Sequence, residues 1–346
     1  MQDTLHIINA FETERRGSER VALHAARRLA PLAPVRVWST VPPAPGVRAL
    51  AAAEGVAIET IRPFAGAFPR GGRLIVWGTH YPIGIWLAAS HARAVAIVCE
   101  LFHHAALYRA VLDVRAAGLP EPRLVYVSRL LADAAVLDGS VLWPPADIAA
   151  FLAVARGAGR RFTVGRVSRD VREKHHRDDP ALYAALAAQG IAVRVLGGAC
   201  LAGELAGAAA GVPGGAPTAS APIELLPEGA LPVPEFLATI DLFLYRTGGP
   251  GAFVEPSGGV VLEAMAAALP VVCGAPGGFT DLIDDGVNGY VTVDQDETLQ
   301  RVLQLAADPP LRARLGARAR QTARAQCGAD AGARLLQAAF GAQAAG

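Results

Sequence analysis

Residues 241–293 read "DLFLYRTGGPGAFVEPSGGVVLEAMAAALPVVCGAPGGFTDLIDDGVNGYVTV", and this segment gives the clearest indication of the fold. Its runs "DLFLYRT" and "PVVCG" are nearly continuous in apolar residues, as are strands that are covered on both faces of a sheet. Between them, "GGVVLEAMA" predicts a short helix that begins near Gly258 or Gly259. Strand, helix and strand in this order predict a parallel, doubly wound α/β sheet.

The same alternation extends toward both ends of the chain. Further apolar runs are separated by alanine-rich segments of helical character. We predict strands near 4–11, 35–41, 73–78, 94–100 and 123–128 in the first half, and near 161–168, 192–198, 223–228, 241–247, 270–274 and 289–293 in the second. The chain therefore reads as two similar α/β halves.

The length of 346 residues exceeds the size at which a single core stops growing. A Pro pair followed by a Gly/Arg-rich stretch has the composition of a linker. We predict an N-terminal domain over 1–145, a linker over 146–160, a second domain over 161–320, and a helical tail over 321–346 that crosses back to the first domain. A surface loop is predicted at 211–222, which is rich in Gly, Pro, Ala and Ser.

The overall composition excludes several classes of protein. A net charge of +1 and a charged fraction of 18% provide no basic field for nucleic acid, so we expect no nucleic-acid partner. Apolar runs are interrupted well before the roughly 18 residues of a membrane span. The N-terminus lacks the pattern of a secretory signal, so we expect a soluble, cytoplasmic protein. The four scattered cysteines are expected to be buried, reduced thiols.

A cationic loop follows the strand predicted near 161–168. The sequence "VGRVSRDVREKHH" (164–176) presents Arg166, Arg169, Arg172 and Lys174, and Lys174 is the only lysine in the chain. The carboxyl end of a strand is where open α/β sheets bind anions. The loop is therefore a candidate anion site.

The helix that begins near Gly258 or Gly259 offers a complementary feature. Its first N–H groups have no intrahelical partner and lie at the positive end of the helix dipole, which suits a phosphate or sugar oxygen. Glu255 precedes the helix and Glu263 lies about one turn inside it, so both can face the same polar ligand.

These motifs, in their order, resemble those of the retaining family 4 glycosyltransferases, which have the GT-B fold. The resemblance extends over most of the chain and rests on four segments, "GSERVALHAARRLA" (17–30), "WPPADIAAF" (143–151), "VGRVSRDVREK" (164–174) and "EPSGGVVLEAMAAALPVV" (255–272). Two positions depart from the family pattern, because Arg16 replaces the usual first glycine and Lys174 comes later than in the commonest spacing. The resemblance implies two Rossmann-like domains facing a cleft that holds a nucleotide-sugar.

The resemblance also implies roles for residues on the donor side. Glu263 would bind the ribose of the nucleotide, and Glu255 would contact hydroxyls of the donor sugar. The backbone at Gly258, Gly259 and Val260 would meet phosphate or sugar oxygens. A UDP- or GDP-sugar is the expected donor.

A second set of residues would act on the leaving group. Arg166 and Lys174 would stabilise the departing diphosphate, and Gly17 would belong to the donor site. Fixed cations and helix-start N–H groups can meet the developing charge without reorganising, so neither a metal nor another cofactor is expected. The resemblance implies a transfer that retains the donor configuration.

The acceptor is expected to be a glycan or lipid-linked hydroxyl, in surface polysaccharide or glycoconjugate synthesis. His103 or His104 would orient this hydroxyl or the donor sugar, and Glu100 competes for the same role. Several arginines in 12–20 and 62–73 fit either peripheral membrane contact or solvated surfaces.

Other interpretations remain open at this point. A hydrolase would use Glu255 as a general acid, but a helix start favours its ionised form. A related nucleotide-sugar epimerase would share the donor-binding half, and a catalytically silent nucleotide-sugar binding protein would share it too. "DQD" (294–296) resembles a metal-binding Asp-x-Asp, but Asp294 or Asp296 is better placed as a helix N-cap. His175 and His176 are expected on a solvated loop.

Overall fold

The structure is a computed structural model that describes residues 3–13, 17–155, 157, 161–210, 221–248 and 253–341. The chain divides into two compact units. The first unit comprises Met1–Asp147 and Gln326–Gly346, and the second unit comprises Ile148–Ala325. Each unit is built on its own parallel β-sheet.

The sheet of the first unit has seven strands, and its central strands are buried along almost their whole length because runs such as "RLIVW" present apolar side chains to both faces. Its strands are β1 (Leu5–Asn9), β2 (Val35–Ser39), β3 (Ile58–Thr60), β4 (Arg73–Trp77), β5 (Ala94–Cys99), β6 (Arg123–Tyr126) and β7 (Ser140–Val141). Their order across the sheet is β3-β2-β1-β4-β5-β6-β7.

The sheet of the second unit has six strands. They are β8 (Thr163–Val167), β9 (Ala192–Leu196), β10 (Ile223–Leu226), β11 (Leu242–Tyr245), β12 (Val271–Gly274) and β13 (Gly289–Thr292). Their order is β10-β9-β8-β11-β12-β13, and neighbouring strands pair in parallel.

Helices follow the strands in both units. Within the described ranges they are α1 (Gly17–Leu29), α2 (Pro45–Ala53), α3 (Trp86–Ala89), α4 (His104–Ala116), α5 (Arg129–Ala134), α6 (Ala149–Leu152), α7 (Asp179–Ala188), α8 (Ala202–Ala210), α9 (Val233–Leu237), α10 (Gly259–Ala266), α11 (Gln295–Ala307), α12 (Pro309–Gln326) and α13 (Ala331–Phe340). The last helix, α13, lies in the first unit, where it packs against α1, β5 and β6. Among the helices of the described ranges, none is long and apolar enough to cross a membrane.

Each sheet has a switch point at which successive strands change direction across the sheet. In the first sheet β2 and β3 lie on one side of β1 and β4 lies on the other, so the switch point is between β1 and β4. In the second sheet the corresponding point lies between β8 and β11. Open α/β sheets bind ligands outside the carboxyl ends of their strands at such points. These two places are therefore the candidate ligand sites of the fold.

The prediction of two doubly wound parallel sheets is confirmed. The boundaries differ from those predicted, because the second unit begins at Ile148 rather than 161 and ends at Ala325 rather than 320. The strands β3 and β7 were not predicted, since they are short and only partly buried. Cys99, Cys273 and Cys327 are buried free thiols as expected, whereas Cys200 is exposed.

Some sequence predictions fall on positions that the structure does not describe. They concern Arg16, residues 156 and 158–160 of the predicted linker, 211–220 of the predicted loop, and 342–346 of the tail, all of which lie outside the described residues.

Candidate functional site

Lys174 and Glu255 meet at the switch point of the second sheet. Lys174 ends the 3-10 turn Arg172–Lys174 after β8, and Glu255 precedes α10. Lys174 Nζ lies 2.7 Å from Glu255 Oε2, and the two side chains are 12% and 14% exposed. Lys174 Nζ also lies 4.0 Å from the centroid of the Phe253 ring. The fold thus brings together two residues that are 81 positions apart in the chain. Both were predicted from the sequence to belong to the same donor site.

Further contacts hold Glu255 in place. The hydroxyl of Tyr245, at the end of β11, donates to Glu255 Oε2 at 3.2 Å. The backbone N–H of Glu255 donates to Thr247 Oγ1 at 3.4 Å, and its carbonyl accepts from the N–H of Gly278 at 2.9 Å. Burial and the charge of Glu255 raise the pKa of Tyr245 well above its ordinary value, so the phenol keeps its proton and acts as a donor.

The start of α10 lies next to Glu255. Gly258 is the N-cap, with φ of 82° in the left-handed region, and Gly259 is the first helical residue. The N–H groups of Gly259 and Val260 lie in the first turn, where an α-helix provides no acceptor. Glu263 lies one turn inside the helix and is half-buried. The predicted helix start and the positions of both glutamates relative to it therefore match the structure.

Gly258 and Gly259 form a matched pair for a test of this helix start. A Cβ at Gly258 would lie 3.0 Å from Phe279 Cδ1, whereas a Cβ at Gly259 would meet no atom within 4 Å. Gly258→Ala combines this contact with a left-handed φ, so we expect it to lower the free energy of unfolding by about 1–3 kcal/mol. Gly259→Ala should stay within about 0.5 kcal/mol of the wild type in urea unfolding. Equal stability of the two variants would contradict the described geometry.

Arg166 lies beneath the Lys174–Glu255 pair, with 1% of its surface exposed. Its Nη1 donates to the carbonyl of Arg246 at 2.7 Å, and its Nη2 donates to the carbonyl of Lys174. Its guanidinium also lies 4.6 Å from the centroid of the Tyr245 ring. The sequence predicted a direct contact with diphosphate, but here the guanidinium is turned toward the backbone. Arg166 therefore positions the loop that carries Lys174.

Asp179, the first residue of α7, lies fully buried between two guanidinium groups. Its Oδ2 is 3.6 Å from Arg166 Nη1, and its Oδ1 is 3.9 Å from Arg246 Nε. Burial lowers the pKa of Arg166, whereas the nearby Tyr183 and Asp179 raise it. Together these effects leave the pKa of Arg166 above its ordinary value. Arg166 is therefore charged, and one buried carboxylate serves two buried cations.

The histidines beside Lys174 do not lie on a solvated loop, contrary to the sequence prediction. His175 is 2% exposed, and its Nε2 lies 2.8 Å from the carbonyl oxygen of Gly197. Burial and the charge of Arg166 lower the pKa of His175 to about 4. His176 Nδ1 accepts from Arg246 Nη2 at 2.9 Å, and burial together with Arg246 lowers its pKa. Both rings are neutral supports of the loop at neutral pH.

The other two arginines of the cationic loop also have protein partners. Arg172 forms a two-point ion pair with Glu204, at 2.6 and 2.9 Å, and its guanidinium donates to the carbonyls of residues 175–177. Arg169 is 44% exposed and lies 3.6 Å from Glu173. Of the four cations in the predicted anion site, Arg166 and Arg172 are thus held by protein groups, Lys174 is paired with Glu255, and Arg169 faces the solvent.

The remaining predicted site residues lie in the first unit. Gly17 is the exposed first residue of α1, and a Cβ there would meet no atom within 4 Å. His103 is exposed and occupies the N-cap position of α4 without a side-chain capping bond. His104 is half-buried, with its ring centroid 6.3 Å from that of Tyr108.

The Asp-x-Asp alternative at 294–296 is resolved in favour of a helix cap. Asp294 is the N-cap of α11, and its Oδ1 accepts from the N–H of Glu297 at 2.8 Å. In the part of the chain that the structure describes, no group of three or more His, Cys, Asp and Glu side chains is arranged to hold a metal ion.

Sequence reasoning missed several residues that shape the site. Tyr245, Arg246 and Thr247 form the end of the run "DLFLYRT", and Asp179 opens the helix after the cationic loop. The sequence signal that could have identified Tyr245, Arg246 and Thr247 is the polar "YRT" at the carboxyl end of a buried strand, where α/β sheets form ligand sites.

Sequence comparison relates part of the second unit to a known family. Residues 229–322 match the family described as Glycosyl transferases group 1. A segment of 100 residues is 37% identical to the GDP-mannose-dependent alpha-(1-6)-phosphatidylinositol monomannoside mannosyltransferase of Mycolicibacterium smegmatis, covering 28% of this chain and 26% of that enzyme. The match thus spans about a quarter of that relative.

Structural comparison covers almost the whole chain. HepE from Anabaena, solved in complex with UDP-glucose, aligns with a TM-score of 0.67 and 16% identity over 97% of this chain and 98% of that chain. WaaG, a glycosyltransferase involved in lipopolysaccharide biosynthesis, aligns with a TM-score of 0.59 and 15% identity over 97% and 100%. A glycosyltransferase from Rickettsia africae aligns with a TM-score of 0.66 and 11% identity over 96% of this chain and 96% of that chain. The chain therefore has the GT-B fold, as the sequence predicted.

Proposed function

We propose that this protein is a glycosyltransferase that moves a sugar from a nucleotide donor to a hydroxyl acceptor. The observation that carries the proposal is the Lys174–Glu255 ion pair beside the start of α10, at the switch point of the second sheet. A cation, a carboxylate and helix-start N–H groups at one place suit a ligand that joins a diphosphate to a sugar. The family match over 229–322 and the GT-B fold support the same proposal.

In the proposed complex, Lys174 exchanges Glu255 for an oxygen of the donor diphosphate. Glu255, still held by Tyr245, is then released to accept hydrogen bonds from hydroxyls of the donor sugar. The N–H groups of Gly259 and Val260 meet phosphate or sugar oxygens, and Glu263 accepts from the ribose. The resting ion pair thus occupies both binding positions until the donor arrives.

The leaving group determines which charge the protein has to stabilise during the reaction. Departure of a nucleoside diphosphate builds negative charge, which Lys174 and the start of α10 can stabilise without reorganising. We therefore propose that no metal or further cofactor is required. We also propose a retaining transfer, in which the donor phosphate itself takes the acceptor proton and the protein provides positioning.

The relatives suggest the classes of donor and acceptor. One relative is named as GDP-mannose-dependent and one structure contains UDP-glucose, so we propose a UDP- or GDP-sugar donor. A glycan or lipid-linked hydroxyl in surface polysaccharide or glycoconjugate synthesis is the proposed acceptor. Peripheral contact with the inner face of the membrane, from a cytoplasmic protein, belongs to the same proposal.

A thermal-shift screen of UDP, GDP, dTDP, CMP and their sugars tests the donor site. A nucleotide present at 100 times its Kd should stabilise the wild type by about 2.7 kcal/mol. Lys174→Ala and Glu263→Ala should reduce this shift, because each removes a proposed ligand contact. Glu121→Ala, at an exposed ion pair of the first unit, should leave it unchanged.

Two results of this screen would contradict the proposal. The first is that no nucleotide stabilises the wild type, and the second is that the Lys174 and Glu263 variants respond as the wild type does. Turnover of the donor without any acceptor would instead indicate hydrolase or epimerase chemistry.

A further inference from the structure

We propose that Glu100, at the switch point of the first sheet, binds a hydroxyl group of the acceptor. The inference rests on the proposed function, since it assigns the acceptor side of the same reaction. Glu100 directly follows β5 and is half-buried. Its carboxylate contacts residues that follow or end β1 and β4, the two strands on either side of the switch point.

A small hydrogen-bond network fixes the Glu100 carboxylate. Ser18 Oγ, in the first turn of α1, donates to Oε2 at 2.5 Å, and Trp77 Nε1 donates to Oε1 at 2.8 Å. Asn9, the last residue of β1, donates from Nδ2 to Ser18 Oγ and to the Trp77 carbonyl, each at 3.0 Å. Asn9 and Trp77 are fully buried, so the network is rigid and the carboxylate is aimed before any ligand binds.

The carboxylate has capacity for a further donor. An ionised carboxylate offers about four lone-pair positions, and the network uses one position on each oxygen. Gly78, which follows β4, has φ of 84°, and a Cβ there would lie 3.4 Å from Glu100 Oε2 and 3.1 Å from His80 Nδ1. A glycine at this place lets both side chains approach the end of β4.

The charge at this network favours a neutral hydroxyl over an anion. Burial and, to a smaller extent, the charge of Glu19 raise the pKa of Glu100 to about 7, against the lowering effect of its bonds to Ser18 and Trp77. Glu19 is a second carboxylate, 1% exposed, on α1. The ionised carboxylate of Glu100 repels a phosphate or carboxylate ligand, whereas a hydroxyl can donate to it. A polyol or sugar hydroxyl is therefore the fitting ligand.

His103 and His104, which were proposed from the sequence for binding the acceptor hydroxyl, are less well placed than Glu100. His103 is exposed and makes no side-chain capping bond. His104 Nε2 is buried and has no hydrogen-bond partner among the described residues, so it faces the protein. Glu100 has two ordered donors on its oxygens and is still half-buried. The geometry thus favours Glu100 over both histidines.

The test compares Glu100→Gln with the wild type, using the full chain loaded with the nucleoside diphosphate that stabilises it best. Methyl α-D-mannopyranoside and methyl α-D-glucopyranoside serve as hydroxyl probes, and binding is measured by saturation-transfer NMR. Loss of a hydrogen bond to a charged group should weaken probe binding at least about tenfold in Glu100→Gln. Glu121→Gln is the matched control, because Glu121 is 61% exposed in an ion pair with Arg115.

A pH series separates direct binding from a structural role. Probe binding to the wild type should weaken as the pH falls through about 7, because protonation removes acceptor capacity, and Glu100→Gln should lack this inflection. Among the described residues, the other titratable groups near the carboxylate are Glu19, His80, Tyr81 and Cys99. Burial raises the pKa of Tyr81 well above its ordinary value and that of Cys99 to about 11, so neither titrates near 7. His80→Asn should keep the inflection.

The outcomes separate this inference from the proposed function. If no nucleotide stabilises the wild type, the proposed function itself fails. If nucleotides stabilise both proteins but Glu100→Gln binds the glycosides as tightly as the wild type, only the assignment of Glu100 is wrong. Absence of any glycoside signal from the wild type, or loss of the inflection in His80→Asn, also overturns the assignment.

Discussion

Asp179→Asn is expected to lower the free energy of unfolding by about 3–5 kcal/mol, because it leaves two buried guanidinium groups without their shared carboxylate. Arg166 and Arg246 have side-chain exposures of 1% and 5%, and the carboxylate between them has 0%. Asn can still accept the hydrogen bond that Asp179 Oδ2 receives from the N–H of His176 at 3.0 Å. The substitution therefore removes the charge with little change in side-chain shape. The decrease in the free energy of unfolding then measures the electrostatic contribution of Asp179.

The measurement has to follow the second unit, in which Asp179 lies. All four tryptophans of the chain precede residue 148 and lie in the first unit, so their fluorescence serves as an internal reference. Hydrogen exchange of β8 and α7 in increasing urea reports the second unit. Asp178→Asn is the matched control, since its side chain is 46% exposed and surface ion pairs contribute about 0–1 kcal/mol.

A double variant keeps this prediction testable if Asp179→Asn alone fails to fold. Asp179→Asn combined with Arg246→Met buries one unpaired guanidinium instead of two, so it should be more stable than the single variant. A loss below about 1 kcal/mol for Asp179→Asn, or no rescue by the second substitution, would show that the three charges are not coupled.

The fold was predictable because its signals are local. Runs such as "RLIVW" and "DLFLYRT" encode buried parallel strands without reference to distant residues. The N-cap role of Asp294 likewise depends on a hydrogen bond to Glu297, three residues along the chain. The start of α10 at Gly258 and Gly259 follows from the change of pattern between loop and helix. Each of these features is set within a few residues of sequence.

The roles within the site were less predictable because they depend on distant partners. Arginine side chains are rarely buried, so the sequence placed Arg166 on the anion-binding surface. Its burial depends on the carbonyl of Arg246, which is 80 positions away, and on Asp179, which no motif singled out. Glu100 could be named as a candidate, but its advantage over the nearby histidines comes from donors on α1 and β4.

Lys174→Met is expected to lower kcat/KM by about 10²–10³-fold, because it removes the cation proposed to stabilise the departing diphosphate. Methionine is unbranched and only one atom shorter than lysine, so the change removes the charged Nζ that lies over the Phe253 ring and keeps most of the apolar stem. Glu255 would lose its 2.7 Å ion pair but would retain the bond from Tyr245. Steady-state turnover with the stabilising nucleotide-sugar measures the effect, and both kcat and donor affinity should fall.

Arg169→Met is the matched control for Lys174→Met, because both residues belong to the loop after β8. Arg169 is 44% exposed and its partner Glu173 is 59% exposed, so solvent screens its charge and we expect less than about a threefold change in kcat/KM. If Arg169→Met cost as much as Lys174→Met, the loop would act through its total charge. A selective loss at Lys174 would instead locate the diphosphate beside Glu255 and the start of α10, where the resting ion pair must open for the donor to bind.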